Sequence, residues 1–166
     1  MTRASRLQRE LKKRSEFDSV AQEAWLNIVR TASRLATRFE RLFASFGLTG
    51  TQYNVLRILR GEGRPLPCLE IADRLIASVP GITGLVDRLE DAGLVKRERS
   101  SEDRRVIYVA ITDEAIGLLK RIDKPLAELH RQVMGPLSEN EQLHLVRLLE
   151  TLRAADEAAG EADEAN

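Results

Sequence analysis

Between Ala77 and Thr112 the chain changes its hydrophobic period once, and the change falls at a glycine. Ile82, Leu85, Val86 and Leu89 recur at three- and four-residue spacing, which makes one apolar face on a helix. After Gly93 the period becomes two, with Val95 and then Ile107, Val109 and Ile111, as in a pair of half-buried strands. Ser78 is suited to cap the helix, and Pro80 fits its first turn, where a missing N–H costs nothing. Gly93 stands where a helix ends on a left-handed residue. A short bounded helix therefore runs directly into a hairpin, and few folds accommodate that order.

The hairpin tip, Arg99-Ser100-Ser101-Glu102-Asp103-Arg104-Arg105, is too polar to bury and carries guanidinium groups on a projecting loop. Such a loop suits a minor groove or a row of phosphates. Upstream, residues 66–75 read as a second short helix, with Leu69, Ile71, Ala72 and Leu75 as its core positions and Glu70 near its start. Two short helices before a hairpin make a winged helix-turn-helix. In that arrangement the second helix enters the major groove of duplex DNA and the hairpin reaches sideways along it.

Length and composition fit one compact domain with extra helices: 166 residues, 43% hydrophobic and 31% charged. A single Cys rules out an intrachain disulfide, no apolar run is long enough to cross a bilayer, and the first residues lack a secretory h-region. A cytoplasmic protein is expected. The formal net charge of +0 conceals a segregation of charge. Residues 1–14 hold six bases against Glu10, whereas the stretch after Arg153 holds five acids and no base. The hairpin adds Lys96, Arg97, Arg99, Arg104 and Arg105, so a neutral chain can still offer phosphates a positive face.

The rest of the chain reads as long helices. Val20, Ala24, Ile28, Leu35, Phe39, Leu42 and Phe46 form a stripe over residues 17–46, ended by Gly47, and residues 51–59 give a shorter helix with Tyr53, Val55, Leu56 and Leu59. After the hairpin, Thr112 and Asp113 are candidate caps for a helix bearing Ile116, Leu119, Ile122, Leu126, Leu129 and Val133, which Pro125 is expected to kink near Lys124. Gly135-Pro136 breaks it, and Ser138 with Glu141 forms a capping box for a last helix carrying Leu145, Leu148, Leu149 and Leu152. Helices from both ends flanking a DNA-reading unit suggest a dimerisation module; the other reading is that they bury their apolar faces within one chain. A two-fold dimer places two reading helices about one duplex turn apart on a near-palindromic site.

Several motifs occur together in one order: Phe46-Gly47-Leu48-Thr49 to Gln52-Tyr53, Leu85-Val86-Asp87-Arg88-Leu89-Glu90, Gly93-Leu94-Val95 and Asp103-Arg104-Arg105. From roughly Phe17 to Leu152 the chain resembles the multiple-antibiotic-resistance regulator (MarR) family. The resemblance implies a bacterial, homodimeric transcriptional regulator, a repressor released by a small aromatic or amphipathic effector. It also implies that Arg105 enters the minor groove, braced by Asp103, with Arg104 on phosphate. The family often carries a larger polar or basic side chain at Gly84, and here the chain departs from it. The expected organisation is a basic N-terminal arm (1–16), a MarR-like domain (17–153) and a disordered acidic tail (154–166). Within the domain lie a winged helix-turn-helix at about 51–112 and dimerisation helices at 17–46 and 113–153. The fold class is mainly α with a small β-hairpin.

On the reading helix, Pro80, Gly81, Thr83, Gly84 and Arg88 lie off the apolar stripe and join Ser78, Arg99, Asp103, Arg104 and Arg105 as the candidate DNA-binding set. Thr83 suits a base edge or thymine methyl, and Arg88 a phosphate or guanine. The alternative for Arg88 is an ion pair with Asp87, Glu90 or Asp91, and for Asp103 a plain turn-forming role. Gly81 and Gly84 lower helix propensity by up to about 1 kcal/mol each but permit close approach. For the basic arm, Leu7 and Leu11 fit a helix that packs on a partner subunit or touches DNA. Trp25, Phe39 and Tyr53 are candidates to line an effector cavity, with core packing as the alternative. Cys68, at a helix start that can lower a thiol pKa, admits a redox-sensing variant of the regulator, but the chain has no second Cys to resolve a sulfenic acid. His130 and His144 are isolated surface or interface residues, so no metal site or cofactor is expected. No phosphate loop, nucleophile elbow or Cys-His cluster points to an enzyme. The competing class is a helical protein-interaction adaptor, which has no need of arginines on a projecting hairpin.

Overall fold

The computed structural model describes residues 5–77, 79, 81–99 and 107–164. The elements are α1 (Arg6–Glu10), α2 (Val20–Ala44), α3 (Gly50–Glu62), β1 (Leu66–Pro67), α4 (Cys68–Asp73), α5 (Ile82–Asp91), β2 (Val95–Arg99), β3 (Ile107–Ile111), α6 (Asp113–Met134) and α7 (Glu139–Glu164). The chain divides into two units, residues 1–125 and 126–166.

The first unit is built around α3. Thr49 caps it reciprocally with Gln52, and Gly63, at φ 70°, ends it in the left-handed region. Tyr53, Asn54, Val55, Leu56, Ile58 and Leu59 are all buried, so α3 is enclosed on most of its circumference rather than along one stripe. Leu66, Ile71, Val86, Leu89, Val109, Leu119 and Ile122 complete the fully buried core. Asn54, the one buried polar side chain among the described residues, accepts two hydrogen bonds from the Arg57 guanidinium at 3.1 and 2.8 Å. Glu40 of α2 accepts the Gly50 N–H at 3.1 Å, and Arg60 of α3 grips Asp123 of α6 in a bidentate pair at 2.9 Å.

The hairpin is part of a larger sheet than the sequence predicts. Three antiparallel strands lie in the order β1-β3-β2, with Leu66 opposite Val109 and with Val95, Arg97 and Arg99 opposite Ile111, Val109 and Ile107. Residues 66–75 therefore do not form one helix: Leu66–Pro67 extends to pair with β3, and α4 is confined to Cys68–Asp73. Within α4, Ile71 is buried as expected, but Leu69 is 76% exposed, because the shorter helix turns only one of the two toward the core.

The expected basic arm is folded at least from Ser5. Ser5 caps α1, Leu7 is buried, and Glu10 forms ion pairs with Arg30 and Arg34 of α2 in the same chain. α2 itself is mostly exposed: Phe43 is its only buried residue, and Val20, expected in the core stripe, is 86% exposed. α6 starts where expected, with Thr112 Oγ1 accepting the Ala115 N–H, and continues through Pro125. Proline supplies no N–H there, so one helical hydrogen bond is missing where the two units divide.

In the second unit, residues 135–138 separate α6 from α7, and the Ser138–Glu141 capping box forms: Glu141 Oε2 accepts the Ser138 N–H at 2.8 Å. α7 continues to Glu164, so the acidic stretch expected to be a disordered tail is helical to that point. Alanine and glutamate, which dominate it, are strong helix formers.

Leu89→Ala is expected to lower the unfolding free energy by about 2–5 kcal/mol, and Leu69→Ala by less than about 0.5 kcal/mol. Chemical denaturation measures both; equal losses would contradict the placement of α4.

Candidate nucleic-acid interface

The reading helix α5 buries Leu85, Val86 and Leu89 and half-buries Ile82, the face set by its apolar spacing. It starts at Ile82, later than a cap at Ser78 implies. Gly81 occupies the N-cap position at φ 81°, a conformation that disfavours a side chain, and no side chain caps the first turn. Among the described residues the first N–H groups thus have no side-chain acceptor, and the first turn carries no acid. A Cβ at Gly81 would meet nothing within 4 Å, and one at Gly84 would meet only the Arg88 guanidinium at 3.9 Å. Neither glycine makes room for a packed neighbour.

Thr83 and Arg88 are exposed on the same helix. Arg88 forms no ion pair with a described residue, although Asp87, Glu90 and Asp91 lie close in sequence. Two of these acids, Asp87 and Glu90, are taken by Arg97 of β2. Its guanidinium binds Asp87 at 2.6 Å and Glu90 at 2.5 Å and donates to the Thr83 carbonyl at 3.2 Å, while its backbone N–H donates to Glu90 Oε1 at 2.9 Å. Burial opposes the Arg97 charge, but the hydrogen bonds to Glu90 and Asp87 outweigh it and move its pKa up. Two acids beside the reading surface are thereby drawn toward the wing, and Arg88 is left to the solvent side. Arg97 was read from sequence only as one of the hairpin's bases. The signal lay in its spacing: two residues from buried Val95, it must point to the inner face of the strand.

The far end of α5 is also fixed. Gly93, at φ 71°, donates its N–H to the Glu90 carbonyl at 2.8 Å, and Leu94 donates to that of Leu89 at 2.9 Å. Thr112 Oγ1 donates to the Gly93 carbonyl at 2.9 Å, tying the end of the helix to the end of β3. Arg99, exposed at the tip end of β2, pairs opposite Ile107. Lys96 on the outer face is held by Glu98 at 2.8 Å.

The profile of the MarR family matches residues 48–107, from the residue before the α3 cap into the first residue of β3. Over 128 residues the chain is 30% identical to the HTH-type transcriptional regulator PecS of Dickeya dadantii (strain 3937), covering 74% of this chain and 77% of the relative. The chain belongs to the MarR family. A MarR transcription factor from Planctomyces limnophilus, known as a crystal structure, is 44% identical, with a TM-score of 0.64 over 82% of this chain and 99% of that one. The homoprotocatechuate degradative operon repressor of Escherichia coli is 30% identical over 112 residues, 68% of this chain and 75% of the relative. These MarR relatives are transcriptional regulators, and this chain is one by family; no helix among its described residues is long and apolar enough to cross a membrane.

Of the MarR-like site set, Gly81 is the N-cap of α5, Thr83 and Gly84 lie in its first turn and Arg88 in its last, and Arg99 ends β2. Ser78, Pro80, Asp103, Arg104 and Arg105 lie outside the described residues. The three aromatic candidates for an effector cavity are not gathered. Trp25 and Phe39 are fourteen residues apart on α2, about 21 Å along its axis. Trp25 is 63% exposed, whereas Tyr53 is buried and stacked on Phe43, ring centroids 4.3 Å apart at 17°. Burial raises the Tyr53 pKa, as suits a core phenol. Cys68 is half-buried at the start of α4, and burial pushes its thiol pKa up, opposite to the lowering expected from a helix start. His130 and His144 are both exposed, and among the described residues no cluster of potential ligands could hold a metal.

Gly84→Ala is expected to raise unfolding free energy by about 0.5–1 kcal/mol through helix propensity, and Gly81→Ala to lower it by about 1 kcal/mol or more through its positive φ. Denaturation curves with the two effects reversed would contradict the placement of the helix start. Because burial favours the neutral thiol of Cys68, its alkylation by iodoacetamide is expected to rise with pH to a midpoint above that of an ordinary thiol. A midpoint below the ordinary value would restore the redox reading.

Proposed function

We propose that the protein is a homodimeric, sequence-specific repressor that binds a near-palindromic duplex operator, and that a small aromatic or amphipathic effector releases it. The observation that carries the reading is the surface of α5. A helix start with no side-chain cap among the described residues, two glycines without a packed neighbour, exposed Thr83, and Arg88 with no ion pair to a described residue form a surface that a major groove accepts. Arg97 supports it by drawing Asp87 and Glu90 away from phosphate. Shape and backbone approach contribute more to recognition than side-chain readout, since Gly84 offers none. The wing residues Asp103, Arg104 and Arg105 act as the family resemblance implies, Arg105 in the minor groove.

Dimerisation is supported by apolar residues exposed on the end helices: Trp25 and Val29 on α2, and Leu143, Leu145, Val146, Leu148 and Leu152 on α7. So many large apolar side chains on two elements fit an interface better than a solvated surface. Likeness to the E. coli homoprotocatechuate degradative operon repressor supports repression, and the effector class rests on the family alone.

The test is binding to an operator selected from a random duplex library, titrated against salt. Arg88→Ala is expected to weaken all duplexes alike and to flatten the plot of log affinity against log salt by a slope of about 1. Binding without salt dependence, or unchanged by Arg88→Ala, would remove this face from the mechanism and favour a protein-interaction adaptor.

A further inference from the structure

The two sides of α2 are unlike. At about 100° per residue, Trp25, Val29, Ala32, Ala36 and Phe43 fall within about 40° of one line along the helix. Phe43 on that line packs on α3, while Trp25 and Val29 are exposed. Arg30, Arg34, Arg38 and Arg41 fall within about 40° of the opposite line, and each is exposed. From Arg30 to Arg41 the row covers about 16 Å of helix axis, a length over which one strand of duplex DNA carries about five phosphates.

Acids oppose this ridge weakly. Glu40 lies about 120° from the ridge line and accepts the Gly50 N–H, and Glu23 precedes Arg30 by about two turns. Beside the Arg30 end stands α1, whose Glu10 meets Arg34 and Arg30 at 3.5 and 3.7 Å and leaves their side chains 63% and 43% exposed. Against that one acid, residues 5–13 bring Arg6, Arg9, Lys12 and Lys13. Arg30, Arg34 and Arg38 are like charges at four-residue spacing, which by itself destabilises a helix. A polyanion laid along the ridge relieves that repulsion.

We propose that the ridge binds the phosphate backbone of a segment of duplex DNA other than the one that α5 reads. The choice of a separate segment rests on the proposed dimer, to which α2 contributes its Trp25 face. The ridges of the two copies then point away from each other. A straight operator lying across the two-fold axis meets both ridges or neither, and it cannot lie on two opposite sides at once. The ridge therefore holds a second segment, and holds it without sequence preference, because contacts to phosphate position a duplex but do not read it. One dimer joins two lengths of DNA, the operator through α5 and another through α2.

The test offers the full chain a short operator duplex fixed to beads and a labelled duplex of unrelated sequence in solution. Operator-bound protein is expected to recruit the labelled duplex, with an affinity that falls steeply with salt. Arg38→Gln combined with Arg41→Gln removes two phosphate partners and leaves Arg30 and Arg34 in place beside α1. This double variant is expected to keep the operator and to flatten the plot of log recruitment affinity against log salt by a slope of about 2. Fluorescence anisotropy of the unrelated duplex alone, in an Arg88→Ala background, needs no operator and is expected to show the same flattening, so a failure of operator reading is told apart from a failure of the ridge. No recruitment by operator-bound protein, recruitment indifferent to Arg38 and Arg41, or an equal loss of operator binding would each overturn the proposal. A shifted monomer–dimer balance in the double variant, with recruitment unchanged, would overturn it in favour of the acidic residues of α7 in a second copy.

Discussion

One guanidinium, that of Arg97, joins the reading helix to the wing. A charged residue on the inner face of a strand is costly unless its donors are satisfied, and α5 supplies Asp87, Glu90 and the Thr83 carbonyl for that purpose. Asp87 and Glu90 are more than a third exposed, so each pair contributes only about 1 kcal/mol or less to stability. The geometric effect is larger than the energetic one. α5 and β2 are held together, with two of the three acids of α5, Asp87 and Glu90, paired to the strand. Thr112, which bonds the Gly93 carbonyl, fixes the other end of the same pair of elements.

The long α2 is tied to this unit near its C-terminal end, by Glu40 and by Phe43, which stacks on Tyr53 of α3. Glu40 serves as the acceptor that caps the start of α3, and a Cβ at Gly50 would collide with it. Any shift of α2 therefore acts on α3, the helix around which the winged unit is packed, and α6 is tied to α3 through Arg60 and Asp123.

What the sequence made legible was what local chemistry decides. The stripe Ile82, Leu85, Val86, Leu89, the stop at Gly93, the Thr112 cap and the Ser138–Glu141 box each depend on residues within four positions of one another, and each is present. What pairing across the chain decides was hidden. Leu66–Pro67 became a strand because Val109 is there to pair with it, and Tyr53 became core because it stacks on Phe43. The role of Arg97 required both the strand register and the face of α5. The start of α5 was misjudged because Ser78 and Pro80 carry strong local preferences, whereas Gly81 adopts the left-handed turn that sets the start. The exposed positions of α5, Thr83 and Arg88 among them, followed from the stripe alone, since an amphipathic helix turns to solvent what it does not bury.

In the proposed complex two copies of α5 enter successive major grooves of one duplex. Hydroxyl-radical footprinting combined with methylation interference at guanine N7, on an operator selected for binding, tests this most directly. Two symmetry-related sets of interfering guanines are expected, centred about one helical turn, roughly 10 base pairs, apart on one face of the duplex, with backbone protection flanking each set. A single unsymmetrical footprint, or protection of the backbone without interference at guanine N7, would contradict it.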